Sequence, residues 1–146
     1  MKSIPFILLL FFSIRLIAQP PGTEDPRIHI DQFGYLPASQ KIAVIASPQT
    51  GYNAPAALIP DPVYRVKRCY DNITVFEADI SAWNGGAVHA QSGDKAWWFD
   101  FSNLSTNGNY YLFDSLNNLR SYSFTISDCI YSEPLKHGLR TYYYQR

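Results

Sequence analysis

The sequence contains few of the residues from which most catalytic and metal sites are built. It has two cysteines, three glutamates and three histidines, and the histidines at positions 29, 89 and 137 lie far apart in the chain. No Cys or His cluster has the spacing of a metal site, and no Gly-x-Ser-x-Gly elbow or glycine-rich phosphate loop occurs. The sequence therefore predicts no catalytic residue, no cofactor and no metal ion.

The carboxylates have structural explanations instead. Glu24 lies in a proline-rich segment, Glu77 in a predicted strand and Glu133 at a predicted helix start. Asp100 ends a predicted strand, where an aspartate usually accepts hydrogen bonds from nearby backbone N–H groups. A facing pair of carboxylates for acid–base catalysis is therefore not expected.

The chain also has no excess of charge of one sign. Its 12 basic and 12 acidic residues become 10 and 12 when Lys2 and Arg15 are removed with residues 1–18. This balance gives no electrostatic reason to expect binding to nucleic acid or to an anionic membrane.

Residues 1–18 have the pattern of a secretory signal peptide. Lys2 precedes an apolar run, and the small residue Ala18 suits a cleavage site. Arg15 interrupts the run, which is short for a membrane span, although an uncleaved anchor is an alternative. We therefore expect cleavage near Ala18 and a secreted or periplasmic protein.

Cys69 and Cys129 would be exported to an oxidising compartment. A bridge between them would close a loop of about 60 residues and stabilise the fold by about 4 kcal/mol. A disulfide and two independent thiols are both compatible with the sequence.

Short strand-like runs alternate with turn residues through most of the chain. The predicted strands are Arg27–Gln32, Lys41–Ala46, Val63–Cys69, Ile73–Ala78, Lys95–Phe101, Tyr110–Asp114 and Ser121–Ile126. Lys41–Ala46 is nearly continuous in apolar residues, which predicts a central strand buried on both faces. About seven short strands at this spacing predict an all-β fold, an antiparallel β-sandwich.

The end of the chain changes from strand to helix character. Ser132 is a candidate N-cap, and an apolar stripe at helical spacing follows, made of Tyr131, Leu135, Leu139, Tyr142 and Tyr143. The stripe either packs on the sandwich or opens a second, helical domain that this chain does not contain. We favour the second interpretation, because a helix this short is only marginally stable alone in water.

Three segments of the sequence occur in a familiar order. They are "IHIDQFGYLP" followed by "KIAVIAS", then "SGDKAWWFDFSNLSTNGNYYL", then "YSEPLKHGLRTYYYQR". They resemble the immunoglobulin-like domain, and the first barrel helix after it, of many family 9 glycoside hydrolases (cellulases and relatives). Gln32, Gly34, Tyr35 and Pro37 match the family's Asn-Gln-x-Gly-Tyr-x-Pro opening, and Asp31 replaces the asparagine.

The resemblance implies a division of the chain into four parts. Residues 1–18 would be the signal peptide, 19–26 a linker, 27–128 the immunoglobulin-like sandwich and 129–146 the first helix of a truncated α/α barrel. The resemblance implies an enzyme of the inverting cellulase type. In such an enzyme the catalytic aspartates and glutamate lie in the barrel. No position here matches those motifs, so the chain is interpreted as a fragment of such an enzyme without an active site.

The resemblance further implies a structural role. The module would pack against and stabilise the catalytic barrel of a secreted polysaccharide-degrading enzyme, and that barrel would be its partner. Apolar residues in the turn at residues 31–37 would be explained if this turn is buried against the barrel. The predicted interface consists of Gln32, Phe33, Tyr35, Leu36, Leu135, Leu139, Tyr142 and Tyr143.

Carbohydrate binding is the alternative function. Trp97 and Trp98 are adjacent in a predicted strand, so their side chains point to opposite faces of the sheet. One can fill the core while the other, if exposed, stacks on a sugar ring. Trp97 and Trp98 are therefore the candidate contacts of a β-sandwich module that binds polysaccharide through exposed aromatics.

Overall fold

The computed structural model describes residues 19–145, so the predicted signal peptide lies outside the described residues. Two short 3-10 turns, Ala54–Ala56 and Trp83–Gly86, interrupt the strands. In chain order, the elements are β1 (Thr23–Glu24), β2 (Ile28–His29), β3 (Ile42–Pro48), β4 (Val63–Arg68), β5 (Thr74–Asp79), β6 (Ser81–Ala82), β7 (Asp94–Asp100), β8 (Gly108–Asp114), β9 (Leu119–Arg120), β10 (Phe124–Ile126) and the helix α1 (Ser132–Tyr144).

The strands form two sheets with the hydrophobic core between them. One sheet has the order β1-β9-β8-β4-β5, with β10 also paired to β8, and the other has the order β2-β3-β7-β6. The pair β1–β9 is parallel, and the other pairs of these strands are antiparallel. The predicted all-β sandwich with one helix at its C-terminal end is confirmed.

Short strands account for most of the differences from the prediction. Each predicted strand has a counterpart, but β1, β6 and β9 have two residues each and are too short to show a periodic pattern. β1 lies within the segment expected to be a linker, where Thr23 pairs with Leu119. β2 ends at His29, because the chain turns at Asp31, whose Oδ1 accepts the N–H of Phe33 at 2.9 Å.

The strand that is buried on both faces is β8, not β3. Residues Tyr110–Asp114 of β8 are all buried, since β8 lies between β4 and the short strands β9 and β10. Along residues 42–47 of β3, alternate residues such as Ala43 and Ile45 are buried, and Val44 on the opposite face is partly exposed. The apolar composition of β3 therefore gave a wrong prediction, because the outer face of its sheet remains partly open to solvent.

Aromatic rings fill much of the core. The ring of Tyr35 meets those of Phe101 and Phe124 edge-on, with centroids 5.3 and 5.5 Å apart, and Phe99 stacks on Phe101 at 5.7 Å. One buried polar pair also lies there: the fully buried Tyr64 donates its hydroxyl to Asp114 Oδ2 at 3.0 Å. Burial raises the pKa of the Tyr64 phenol, so this group donates at any physiological pH.

Helix α1 contributes no buried residue to the sandwich. The interpretation that its apolar stripe packs on the sandwich is therefore wrong for the described residues. Ser132 is also not the N-cap: Tyr131 occupies that position, and no side chain caps the helix. The Ser132 N–H already donates to the carbonyl oxygen of Cys129 at 3.0 Å, so the chain is wound before Ser132.

Within residues 19–145, α1 and the other helical turns are too short or too polar to span a membrane.

Candidate functional site

The segment 31–37 is a tight loop fixed to the end of the sandwich. Gly34 has φ +91° and donates its N–H to the carbonyl oxygen of Asp31 at 3.1 Å. Tyr35 N–H donates to Thr125 O at 2.9 Å, and Ser127 N–H donates to Tyr35 O at 3.0 Å. A Cβ on Gly34 would lie 2.3 Å from Thr125 O, so only glycine fits here.

Tyr35 is a core residue, which corrects its assignment to the interface. It is 5% exposed, and its hydroxyl oxygen accepts the N–H of Asp31 at 2.9 Å. Burial raises the pKa of the Tyr35 phenol. The alternation that starts in β2 is broken by the turn at Asp31, so the side chain of Tyr35 enters the core while Phe33 points to solvent.

Lys41 holds the same loop from inside the domain. Its side chain is fully buried, and Nζ donates to Pro37 O and Ser39 O, each at 2.8 Å, and to Ser102 O at 3.3 Å. Burial lowers the pKa of the ammonium, and the nearby Asp100 carboxylate opposes this effect. A lysine that could have been a surface residue is therefore a buried cross-link between the loop and the end of β7.

The loop and the helix α1 each present exposed apolar side chains. Tyr131 donates its hydroxyl to Gly34 O at 3.4 Å, which joins the helix start to the loop. Phe33 and Leu139 are each 62% exposed, and Leu36 is half-buried. We call this region the loop–helix surface, and it consists of Gln32, Phe33, Leu135, Leu139, Tyr142 and Tyr143, all of them exposed.

A second feature lies on the outer face of the sheet β2-β3-β7-β6. Trp97 is partly buried and packs against the core, so its prediction as a sugar contact is wrong. Trp98 is 47% exposed on the opposite face. Trp98 lines a groove of about 410 Å³. We call it the outer groove, and its lining residues are His29, Val44, Ala46, Trp83, His89, Ser92, Asp94, Ala96 and Trp98.

Sequence reasoning missed Trp83, His89 and Asp94 as neighbours of Trp98. They come from the 3-10 turn, the following loop and the start of β7, and the rings of Trp83 and His89 are 5.5 Å apart, edge to face. The pairing of β6 with β7 brings this turn back towards Trp98. A single strand pattern carries no signal for this contact between loop and sheet.

The carboxylates considered above have partners within the domain or the helix. Asp100 accepts the N–H of Ser102 at 2.8 Å, as predicted for a strand end, and hydrogen bonds from Ser102 lower the pKa of its carboxyl group. Glu24 pairs with Arg120, and Glu77 with Arg65. In the part of the chain that the structure describes, no three His, Cys, Asp or Glu side chains are grouped as metal ligands would be.

The two cysteines are free thiols. Cys69 is partly buried, and burial raises the pKa of its thiol, whereas Cys129 is exposed before α1. Of the two alternatives that the sequence allowed, the structure shows independent thiols.

Three solved structures with a similar fold are much longer than this chain. A Bacteroides ovatus GH9 protein is 26% identical, with a TM-score of 0.64 over 82% of this chain and 19% of its own. A metagenome-derived glycoside hydrolase family 9 endoglucanase is 29% identical, with a TM-score of 0.53 over 67% of this chain and 17% of its own. An endoglucanase from Alicyclobacillus acidocaldarius, 21% identical, shares the fold with a TM-score of 0.58, and covers 82% of this chain and 18% of its own. No curated protein matches.

The two packed sheets, followed by a single helix, define a β-sandwich module of the immunoglobulin-like class. The family model described as "Cellulase N-terminal ig-like domain" matches residues 23–114. The chain belongs to this family, and the resemblance seen in the sequence is confirmed. It spans less than one fifth of the length of the solved structures named above.

Proposed function

We propose that this chain is a non-catalytic module that packs against, and stabilises, the catalytic domain of a secreted family 9 glycoside hydrolase. The observation that carries this proposal is the loop–helix surface. Apolar side chains are exposed there on two distant segments, and the contact of Tyr131 with Gly34 joins the two segments. Exposed apolar patches of this kind usually mark an interface.

Burial of this surface against a second domain would be favourable in free energy. Each leucine in α1 would stabilise the contact by roughly 1.5–3 kcal/mol if it were fully buried. The helix has 13 residues and no capping side chain, so it gains little stability by itself. Packing against a second domain would therefore stabilise both the helix and that domain.

The proposed partner is the remainder of a family 9 enzyme. The B. ovatus GH9 protein and the metagenome-derived endoglucanase have more than four fifths of their length outside the region aligned with this chain. We propose that residues 129–146 begin such a catalytic domain and that residues 27–128 support it. By the names of these relatives, its substrate would be cellulose or a related glucan, and this chain would take no chemical part in the hydrolysis.

The test is a fusion in which residues 19–145 replace the N-terminal domain of the B. ovatus GH9 protein. We expect the fusion to unfold at a higher temperature than the isolated catalytic domain. The double change Leu135→Ser and Leu139→Ser should lower the Tm of the fusion by several degrees. It should leave the Tm of the 146-residue chain unchanged, because both side chains are already exposed there.

The matched control is Lys136→Ser, which changes an exposed residue of the same helix that is not part of the apolar stripe. It should have no effect on either protein. A fusion that is no more stable than the isolated catalytic domain would contradict the proposed function, and so would a fusion indifferent to both leucine changes.

A further inference from the structure

The outer groove has an indole beside a shallow floor. In the sheet register, Val44 lies opposite both His29 and Trp98, and Ala46 lies opposite Ala96. Residues opposite each other in antiparallel strands share one face of the sheet. Two alanines next to a large ring leave a trough along that ring, and Trp98 is 47% exposed towards it.

Aromatic and polar groups line this trough from other elements. Trp83 comes from the 3-10 turn, and its ring is held edge to face against His89. Trp83, Trp98 and Asp94 line the groove, and within residues 19–145 the structure shows no protein hydrogen bond to either indole N–H or to the Asp94 carboxylate. These groups leave two donors and one acceptor for a ligand.

The imidazole of His89 adds a donor. Its Nδ1 lies 3.2 Å from the backbone N–H of Ser92, which can only donate, so Nδ1 accepts this hydrogen bond. The neutral ring therefore carries its proton on Nε2. Because Nδ1 already accepts this hydrogen bond, Nε2–H is the donor that His89 can offer to a ligand.

The groove is elongated. A second hollow of about 510 Å³ shares His29, Ala46 and Asp94 with the first, so the two lie next to each other along the sheet. Its walls include Asn53 and the ion pair between Asp25 and Arg27. A trough of this length, with apolar rings at one end and polar side chains along it, suits a chain molecule better than a single small ligand.

We propose that the outer groove binds a neutral oligosaccharide of pyranose units, with Trp98 as the ring on which one sugar stacks. A pyranose has an apolar C–H face and hydroxyl groups at its edge that both donate and accept hydrogen bonds. The groove supplies the matching set: exposed ring faces, indole and imidazole N–H donors and a carboxylate acceptor. Its volume is in the range of small-ligand sites, about 300–1,000 Å³.

This binding function is separate from support of a catalytic domain. The outer groove and the loop–helix surface have no residue in common. The fusion experiment above does not depend on sugar, and the titration below does not depend on a second domain, so the two proposals fail independently.

The experiment is an NMR titration of the purified chain with cellohexaose as the probe. We expect amide shifts to change in β3, in β7 and in the loop that carries Trp83 and His89, with a Kd of about 1 mM or tighter. Trp98→Ala should weaken binding roughly tenfold or more, as expected for a central aromatic contact. Trp83→Ala should weaken it by a smaller factor.

The matched control is Tyr52→Ala, since Tyr52 is 98% exposed and does not line the groove. Its affinity should equal that of the unchanged chain. The proposal is overturned if no shift changes up to about 10 mM cellohexaose, if the changes map outside the groove, or if Trp98→Ala binds as well as the unchanged chain. The shift map of the unchanged chain decides the location even if a tryptophan variant folds poorly.

Discussion

Replacing Lys41 by methionine should destabilise the domain strongly. The variant keeps the length of the side chain but removes the ammonium that is hydrogen bonded to Pro37 O, Ser39 O and Ser102 O. A hydrogen bond to a charged group contributes about 1.5–3 kcal/mol. The two short bonds, at 2.8 Å each, therefore dominate the loss.

An opposing effect reduces the expected magnitude. Burying an ammonium costs several kcal/mol, and that cost disappears in the variant. Three carbonyl oxygens nevertheless lose their shared partner at the end of the sandwich. We expect a net loss of roughly 2–4 kcal/mol in the free energy of unfolding, which corresponds to a fall of roughly 1–3 M in the urea midpoint.

The assay is urea unfolding followed by tryptophan fluorescence, with Lys95→Met as the matched control. Lys95 lies in β7 and is partly exposed, and among the described residues it has no hydrogen bond or ion pair through its side chain. The control should therefore stay within about 0.5 kcal/mol of the unchanged chain. If Lys41→Met stays within the same limit, the buried ammonium is not the cross-link inferred here.

Two further predictions concern the loop and acid stability. Gly34→Ala should cost more than about 3 kcal/mol, because its Cβ would lie 2.3 Å from Thr125 O at φ +91°. Urea unfolding measures this loss, and a change below about 1 kcal/mol would contradict the close fit of the loop against β10. Asp25 should contribute stability that is lost in acid, because hydrogen bonds from the Arg27 side chain lower its pKa below 3.8 despite its burial. Its contribution is present above pH 3.8 and falls as the pH drops through the lower folded-state value. The stability difference between the unchanged chain and Asp25→Asn should therefore shrink between about pH 7 and pH 3, and a constant difference would argue against the pairing.

Much of the fold follows from local patterns in the sequence. Strands such as Val63–Arg68 and Asp94–Asp100 were expected within about one residue, because alternation and turn residues act over short distances. The adjacent Trp97 and Trp98 had to face opposite sides for the same reason. The resemblance carried by the segments "IHIDQFGYLP" and "KIAVIAS" led to the correct family.

The candidate sites depended on contacts that no local pattern contains. Alternation in the sequence separates the residues on the two faces of a strand, but only the packing of the sheets decides which face is covered. For this reason the sequence could not tell that Trp97 packs against the core and that Trp98 lines the groove. Tyr35 was predicted at the interface but lies in the core, because the turn at Asp31 changes the direction of the chain.

The sequence by itself determined the longer strands and the helix, since these depend on neighbours within a few residues, and its resemblance to a known family indicated the kind of module. Only the tertiary structure decided that Lys41 is buried beneath the loop and that Trp83, His89 and Asp94 join Trp98 in one groove. The physical reason is that hydrogen bonds and ring contacts between distant segments depend on the positions of both partners, which the packing of the whole sandwich sets.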